Sequence, residues 1–222
     1  MHKFDKDSIC RFIAGGLLVA SLSALPVAPS WAGTISAAAL SKAGEPMPDV
    51  VVYATPSGAK PPPADRVAAE TIAQDHLQFM PYVTVVRVGA EIKFPNYDKV
   101  DHHVKSFSPA KEFEIKPSES ATAAPILFDK PGIVVTYCLI HEWMRAYVMV
   151  VDTPYFGKSD ASGVVTLDGL PAGSYEIRAW HPDMGSIKPA LLQTVTVGAQ
   201  GTQTVKFDFD FVPRKRKPAK TS

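Results

Sequence analysis

Apolar positions along this chain come in short runs that alternate with polar ones and break at proline or glycine every few residues. Tyr82 to Val88 is dense in β-branched residues and stops at Gly89, and Glu91 to Phe94 follows and stops at Pro95-Asn96. His103 to Phe107, Ile126 to Phe128, Ile133 to Tyr137 and Tyr147 to Val151 continue the pattern. Val164 to Leu167, Tyr175 to Trp180, Leu192 to Val197 and Thr204 to Phe211 form a later set, with turns at Asp160-Ala-Ser-Gly163 and Leu170-Pro-Ala-Gly173. Asp49 to Ala54 is an earlier candidate, preceded by the turn residues of Gly44-Glu-Pro-Met-Pro48. Runs this short, punctuated by turns, predict strands, and this many predict a sandwich or barrel. Ala64 to Ile72 is the one stretch that reads as a short helix.

The N-terminal pattern is different. Lys3, Lys6 and Arg11 precede a mostly apolar run from Phe12 to Leu25, and Ser30-Trp31-Ala32 puts small residues where a signal peptidase reads. The run is shorter than the ~20 apolar residues a bilayer span needs. We therefore expect residues 1–32 to be a cleaved signal, the protein to be periplasmic, and the mature chain to lack a transmembrane span. The rest divides into a preamble strand and linker (33–65), a β domain (66–151), a second β unit (152–212) and a basic tail (213–222). With 222 residues, 20 prolines and 14 glycines, the chain suits two small β units better than long helices.

Charge adds one feature. Arg214, Lys215, Arg216, Lys217 and Lys220 crowd the tail, whereas acidic residues outnumber basic ones in 33–212. Such a tail reads first as a solvated end, with weak contact to a membrane or an acidic partner as the alternative. Nucleic acid does not suit an exported, mildly acidic body.

Cysteine usage changes the picture most. Cys10 leaves with the signal, so Cys138 stands alone in an oxidising compartment, where cysteines usually pair. Cys138-Leu-Ile-His141-Glu-Trp-Met144 offers a thiolate, an imidazole and a thioether in seven residues between two predicted strands. A thiolate and two imidazoles with a weak axial thioether is the ligand set of a blue (type 1) copper site. The soft thiolate suits Cu(I), imidazoles tolerate both oxidation states, and a rigid β scaffold limits rearrangement as one electron comes or goes. The fourth ligand falls to the pair His102-His103 at the entry to a strand. Neighbours on a strand point to opposite faces, so one of the two reaches the metal.

These residues carry a resemblance. From Leu77 to Phe107, the wording Phe79-Met-Pro81, Val88-Gly89, Phe94-Pro-Asn96 and His102-His103-Val104 resembles the plastocyanin family. The loop from Cys138 to Met144 is similar to the short ligand loop of amicyanin. Phe94-Pro-Asn-Tyr-Asp98 and Ser106-Phe-Ser-Pro-Ala-Lys111 resemble plastocyanin-like proteins often labelled methylamine utilisation proteins, a label that says little about any pathway. The resemblance covers about residues 70 to 151. It implies a cupredoxin fold, a Greek-key β-sandwich holding one copper ion, and outer-sphere electron transfer. Its pattern places the ligand two positions before a valine, which selects His102 beside Cys138, His141 and Met144. It also suggests that Asn96 fixes the loop near Cys138, with a simple turn asparagine as the equal alternative, and Trp143 would join an apolar docking patch or pack the loop. Asp160-Ala-Ser-Gly163, Leu170-Pro-Ala-Gly173 and Tyr175 make the second unit resemble transthyretin-like, carboxypeptidase-regulatory sandwiches, which are structural or contact-making modules. The preamble looks like the opening hairpin of the same module, and its attachment stays open.

Two functions follow from the sequence. One is a periplasmic one-electron carrier that meets a redox protein, a cytochrome or a dehydrogenase. The other is a copper-binding envelope module that stores or delivers the ion. An enzyme fits less well: His76, His103 and His181 do not build a second copper centre, and haem, phosphate-loop and serine-nucleophile motifs are absent from the sequence.

Overall fold

The computed structural model describes residues 32–58, 60–61, 69–119 and 122–216. The predicted signal lies outside them, except that Ala32 opens the first strand. In chain order the strands are Ala32–Leu40 (β1), Val51–Pro56 (β2), Ala69–Thr71 (β3), Ala73–Asp75 (β4), Gln78–Met80 (β5), Val83–Arg87 (β6), Ala90–Lys93 (β7), Val104–Ser108 (β8), Lys111–Ile115 (β9), Ile126–Phe128 (β10), Gly132–Cys138 (β11), Arg145–Val151 (β12), Tyr155–Lys158 (β13), Val164–Pro171 (β14), Gly173–Trp180 (β15), Leu191–Val197 (β16) and Thr202–Asp208 (β17). Two short 3-10 turns, Pro117–Glu119 and Pro182–Met184, are the helical elements among the described residues. The chain is an all-β protein, as its punctuation predicts. Among the described residues, no helix is long and apolar enough to cross a membrane.

The strands build two sandwiches that share a wall. That wall is a five-stranded sheet of order β6-β12-β11-β8-β9. On one side it meets β10-β7-β3 and the hairpin β4-β5 over a core of Ile72, Phe79, Ile92, Phe94, Val104, Phe113, Phe128, Val134, Val148 and Val150. On the other it meets a four-stranded sheet, β13-β2-β15-β16, which is backed in turn by β14-β1-β17. Strand β12 shows how the wall serves both cores. Ala146, Val148 and Val150 join the first core, and Tyr147, Met149 and Val151 join the second. Alternating side chains point to opposite faces, so a strand buried on both faces reads as a continuous apolar run.

The second core is dominated by Val50, Val51, Val52, Ile177, Trp180 and Phe207. Trp180 packs toward the shared wall, its ring 5.7 Å from that of Tyr147. Two turns flagged by the sequence have physical reasons. Gly163 adopts φ +71, and a Cβ there would fall 2.7 Å from the Ala39 carbonyl oxygen, so the turn admits only glycine. The Tyr175 hydroxyl donates to the Pro171 carbonyl oxygen at 2.8 Å, which pins the β14–β15 corner.

One open question closes and two expectations change. The preamble joins the later sandwich: β1 runs between β14 and β17, and β2 between β13 and β15. The predicted helix at Ala64 to Ile72 is not one where it is described, because Ala69–Thr71 is β3. Parallel pairing with β7, and the Ile72 N–H donated to the Lys93 carbonyl oxygen at 2.9 Å, override the helix preference of an alanine-rich stretch. The tail, expected as a solvated end, lies along the body as far as Arg216. Its guanidinium reaches Asp49 at 3.1 Å and stands 4.4 Å over the Tyr82 ring, while the Arg214 N–H donates to Asp183 at 2.7 Å.

Candidate metal centre

The site sits at one end of the shared wall. Cys138 closes β11 opposite Val104 of β8, so the residues just before β8 come beside it. Residues 139–144 then loop over to β12. The loop is tied by backbone bonds: the Met144 N–H donates to the His141 carbonyl oxygen (2.9 Å), the Cys138 N–H to that of Met144 (3.2 Å), and the Leu139 N–H to that of His103 (2.9 Å).

Three donor atoms converge there. His102 Nδ1 lies 3.1 Å from His141 Nδ1, and each of these nitrogens is 3.7 Å from Cys138 Sγ. The three are mutually close enough to hold one metal ion. Two nitrogens and a sulfur bonded to one ion at about 2.0–2.3 Å, as in zinc sites, stand roughly 3–4 Å from each other. The spacing fits such a group. His102 is fully buried and Cys138 nearly so, whereas His141 is partly exposed. Met144 is buried in the same apolar cluster as Cys138. The His141 backbone N–H donates to the sulfur at 3.4 Å.

His103 lies elsewhere. Its Nε2 meets Glu114 at 2.7 Å on the outer side of the strand, and Lys105 reaches the same carboxylate at 3.0 Å. The Lys105 and His103 bonds hold the Glu114 carboxyl below its ordinary range. His76 is exposed beside Asp75, and His181 is buried as the cap of the Pro182–Met184 turn, its Nδ1 accepting from the Asp183 N–H.

Asn96 makes the contacts of a turn asparagine, the second of its two readings. Its Oδ1 accepts from the Asp98 N–H (3.0 Å) and its Nδ2 donates to the Val100 carbonyl oxygen (2.8 Å), so it braces its own loop. What that loop presents is Asp98, which the sequence reading did not single out. Asp98 Oδ2 is 2.8 Å from His102 Nε2, and the two side chains are 2% and 0% exposed. The same oxygen accepts the Leu77 N–H at 3.1 Å. The available signal is the four-residue step from Asp98 to His102, directly after Pro95-Asn96.

Leu77 also touches the other half of the site. Its carbonyl oxygen accepts the Trp143 indole N–H at 3.1 Å, and the Trp143 ring stands 5.3 Å from that of His141. Trp143 remains 40% exposed, beside exposed Leu139 and Ile140, so it both packs the loop and lines its apolar surface. Leu77 and His76 form the two-residue β4–β5 turn with φ 55 and 54, a left-handed backbone that non-glycine residues seldom adopt.

No protein-family model and no curated protein matches the chain. Among solved structures, an amicyanin from Paracoccus versutus aligns at 19% identity over 45% of this chain and 98% of its own, with a TM-score of 0.31. A pseudoazurin from Hyphomicrobium denitrificans aligns at 22% over 37% of this chain and 75% of its own, TM-score 0.33. A purple cupredoxin from Nitrosopumilus maritimus aligns at 22% over 37% of this chain and 99% of its own, TM-score 0.32. Each alignment takes in less than half of this chain.

Proposed function

We propose that this chain is an exported copper protein of the periplasm that carries one electron between redox partners. The observation that carries the reading is the triangle of His102 Nδ1, His141 Nδ1 and Cys138 Sγ in a buried pocket with Met144 in the same core. Two imidazoles, a thiolate and a thioether are the donor set that selects copper and suits both of its oxidation states. Copper, when bound, would supply the one-electron couple. The chain supplies the rest. The shared wall and the bonded loop keep the donors in place, which limits the rearrangement accompanying electron transfer. The apolar core excludes water from Cys138. His141, partly exposed among Leu139, Ile140 and Trp143, is the donor that a partner protein would approach.

The test is the visible and EPR spectrum of mature protein loaded with Cu(II), beside Cys138→Ser. An intense thiolate-to-copper band with narrow hyperfine splitting, absent from the variant, is expected. A colourless protein, or an ordinary tetragonal signal that the substitution leaves alone, would overturn the reading. Reversible electrochemistry separates the carrier from a storage or delivery module, which would instead hand its ion to an acceptor.

A further inference from the structure

We propose that Asp98 positions His102 and sets the electron affinity of the site; this rests on the copper reading above. The chemistry starts from what a carboxylate can do. It accepts hydrogen bonds and does not donate them, so Asp98 Oδ2 at 2.8 Å fixes the His102 proton on Nε2. The lone pair is then left on Nδ1, the atom that faces Cys138 Sγ and His141 Nδ1. A metal-binding histidine whose second nitrogen donates to a carboxylate is held in orientation and made more basic. The placement strengthens the effect. Asp98 is 2% exposed, so its negative charge acts through protein rather than water, one imidazole ring from the donor triangle. A buried negative charge favours the more oxidised, more positive state of a bound ion.

The surroundings are built to keep the carboxylate there. Asn96 braces the loop from both sides of Asp98, and the Leu77 N–H supplies a second donor to the same oxygen. That donor comes from a turn held in left-handed backbone at two non-glycine residues, an arrangement that persists only where its surroundings enforce it. His141 has a different neighbour, the Trp143 ring, so the two histidines are supported by unlike chemistry from one turn.

Asp98→Asn retains an oxygen that accepts from both donors and removes only the charge. Cu(II) affinity should fall about 10–100-fold, the range for loss of a ligand-supporting residue. Cu(I) affinity should fall less, so the reduction potential should rise while the blue band persists. Metal-free protein gives an independent readout. The His102 Nε2–H should be a slowly exchanging downfield imidazole resonance in the wild type, and Asp98→Ala should lose it with the backbone spectrum intact. Equal losses of Cu(I) and Cu(II) affinity, or an unmoved potential, would overturn the proposal and leave Asp98 a loop residue. If wild-type protein gives no blue band, the copper reading itself fails and takes the electron-affinity claim with it, and the Nε2–H resonance still decides whether Asp98 positions His102.

Discussion

The two cores on either face of the shared wall are built from similar apolar residues and do different work. One holds valines, phenylalanines and Met144 together with a buried histidine, a buried thiol and, against that histidine, a buried carboxylate. The other holds Trp180, Ile177, Phe207 and a cluster of valines, and its buried polar groups answer to the backbone: the Ser159 hydroxyl donates to the Met47 carbonyl oxygen (2.7 Å) and accepts the Val50 N–H (2.9 Å). The first core has such backbone-serving groups too, Gln74 Nε2 donating to the Phe94 carbonyl oxygen (2.7 Å) and the Ser106 hydroxyl to that of Lys111 (2.8 Å), and adds to them the cluster of His102, Cys138 and Asp98. The contrast teaches that the later sandwich lies as backing against the face of the wall turned away from the site.

The sharpest way to break this comparison is to damage the backing. Trp180→Ala removes the largest fully buried side chain and should cost about 3–5 kcal/mol in chemical denaturation of the metal-free protein. If the backing acts only through the wall, the copper spectrum of the surviving folded protein should keep its band position. A displaced band would mean that the two cores are one electronic and mechanical unit.

How much of this was legible beforehand follows from the range of each interaction. Cys138, His141 and Met144 sit on one tight loop, so their nearness to one another is readable from spacing alone. Most strands are readable because valine, isoleucine and aromatic residues alternate over turns of proline and glycine. Strand β1 escaped: it buries Ile35, Ala37 and Ala39 and leaves Ser36 and Ala38 half-covered, and alanine on both faces hides the period of two. Asp98 escaped because its partner is selected by the fold of a loop, and Asn96 drew attention in its place. The tail escaped because Arg216 finds Asp49 and Tyr82 only after residues far apart in sequence have come together.

That tail offers a smaller test, since Arg216 lies against Asp49 and Tyr82 and also lines the cleft beside Trp143 and Met144. Its side chain is 54% exposed, so the ion pair is screened and Arg216→Ala should cost no more than about 1 kcal/mol, less at high salt. A loss well above that, insensitive to salt, would show that the strap is a true part of the backing.

The smallest expected effect is a titration on the backing side. Burial pushes the His181 imidazole below its ordinary value of 6.5; Asp183 and Asp49 oppose the shift and Arg216 adds to it. The folded protein therefore favours neutral His181, whose Nδ1 accepts the Asp183 N–H. Below pH 6.5 the unfolded chain takes up the proton first, so this contribution is complete above that pH and is lost as pH falls through the folded value. His181→Asn keeps a capping side chain and cannot titrate. Its melting temperature should fall less than that of wild type between pH 7.5 and 5.5, and identical slopes would remove His181 from the account.

The parallel pairing of β1 with β17, Thr34 opposite Thr202, also has a meaning in time. A chain synthesised from its N terminus carries β1 long before either of its partners, β14 and β17, exists. Residues 69 to 151, by contrast, contain every strand of the first sandwich and of the wall. Assembly should therefore begin at the metal-site end and close with the outermost sheet. Pulse-labelling hydrogen exchange would then protect the amides of β11 and β12 before those of β1, and the reverse order would refute that sequence of events.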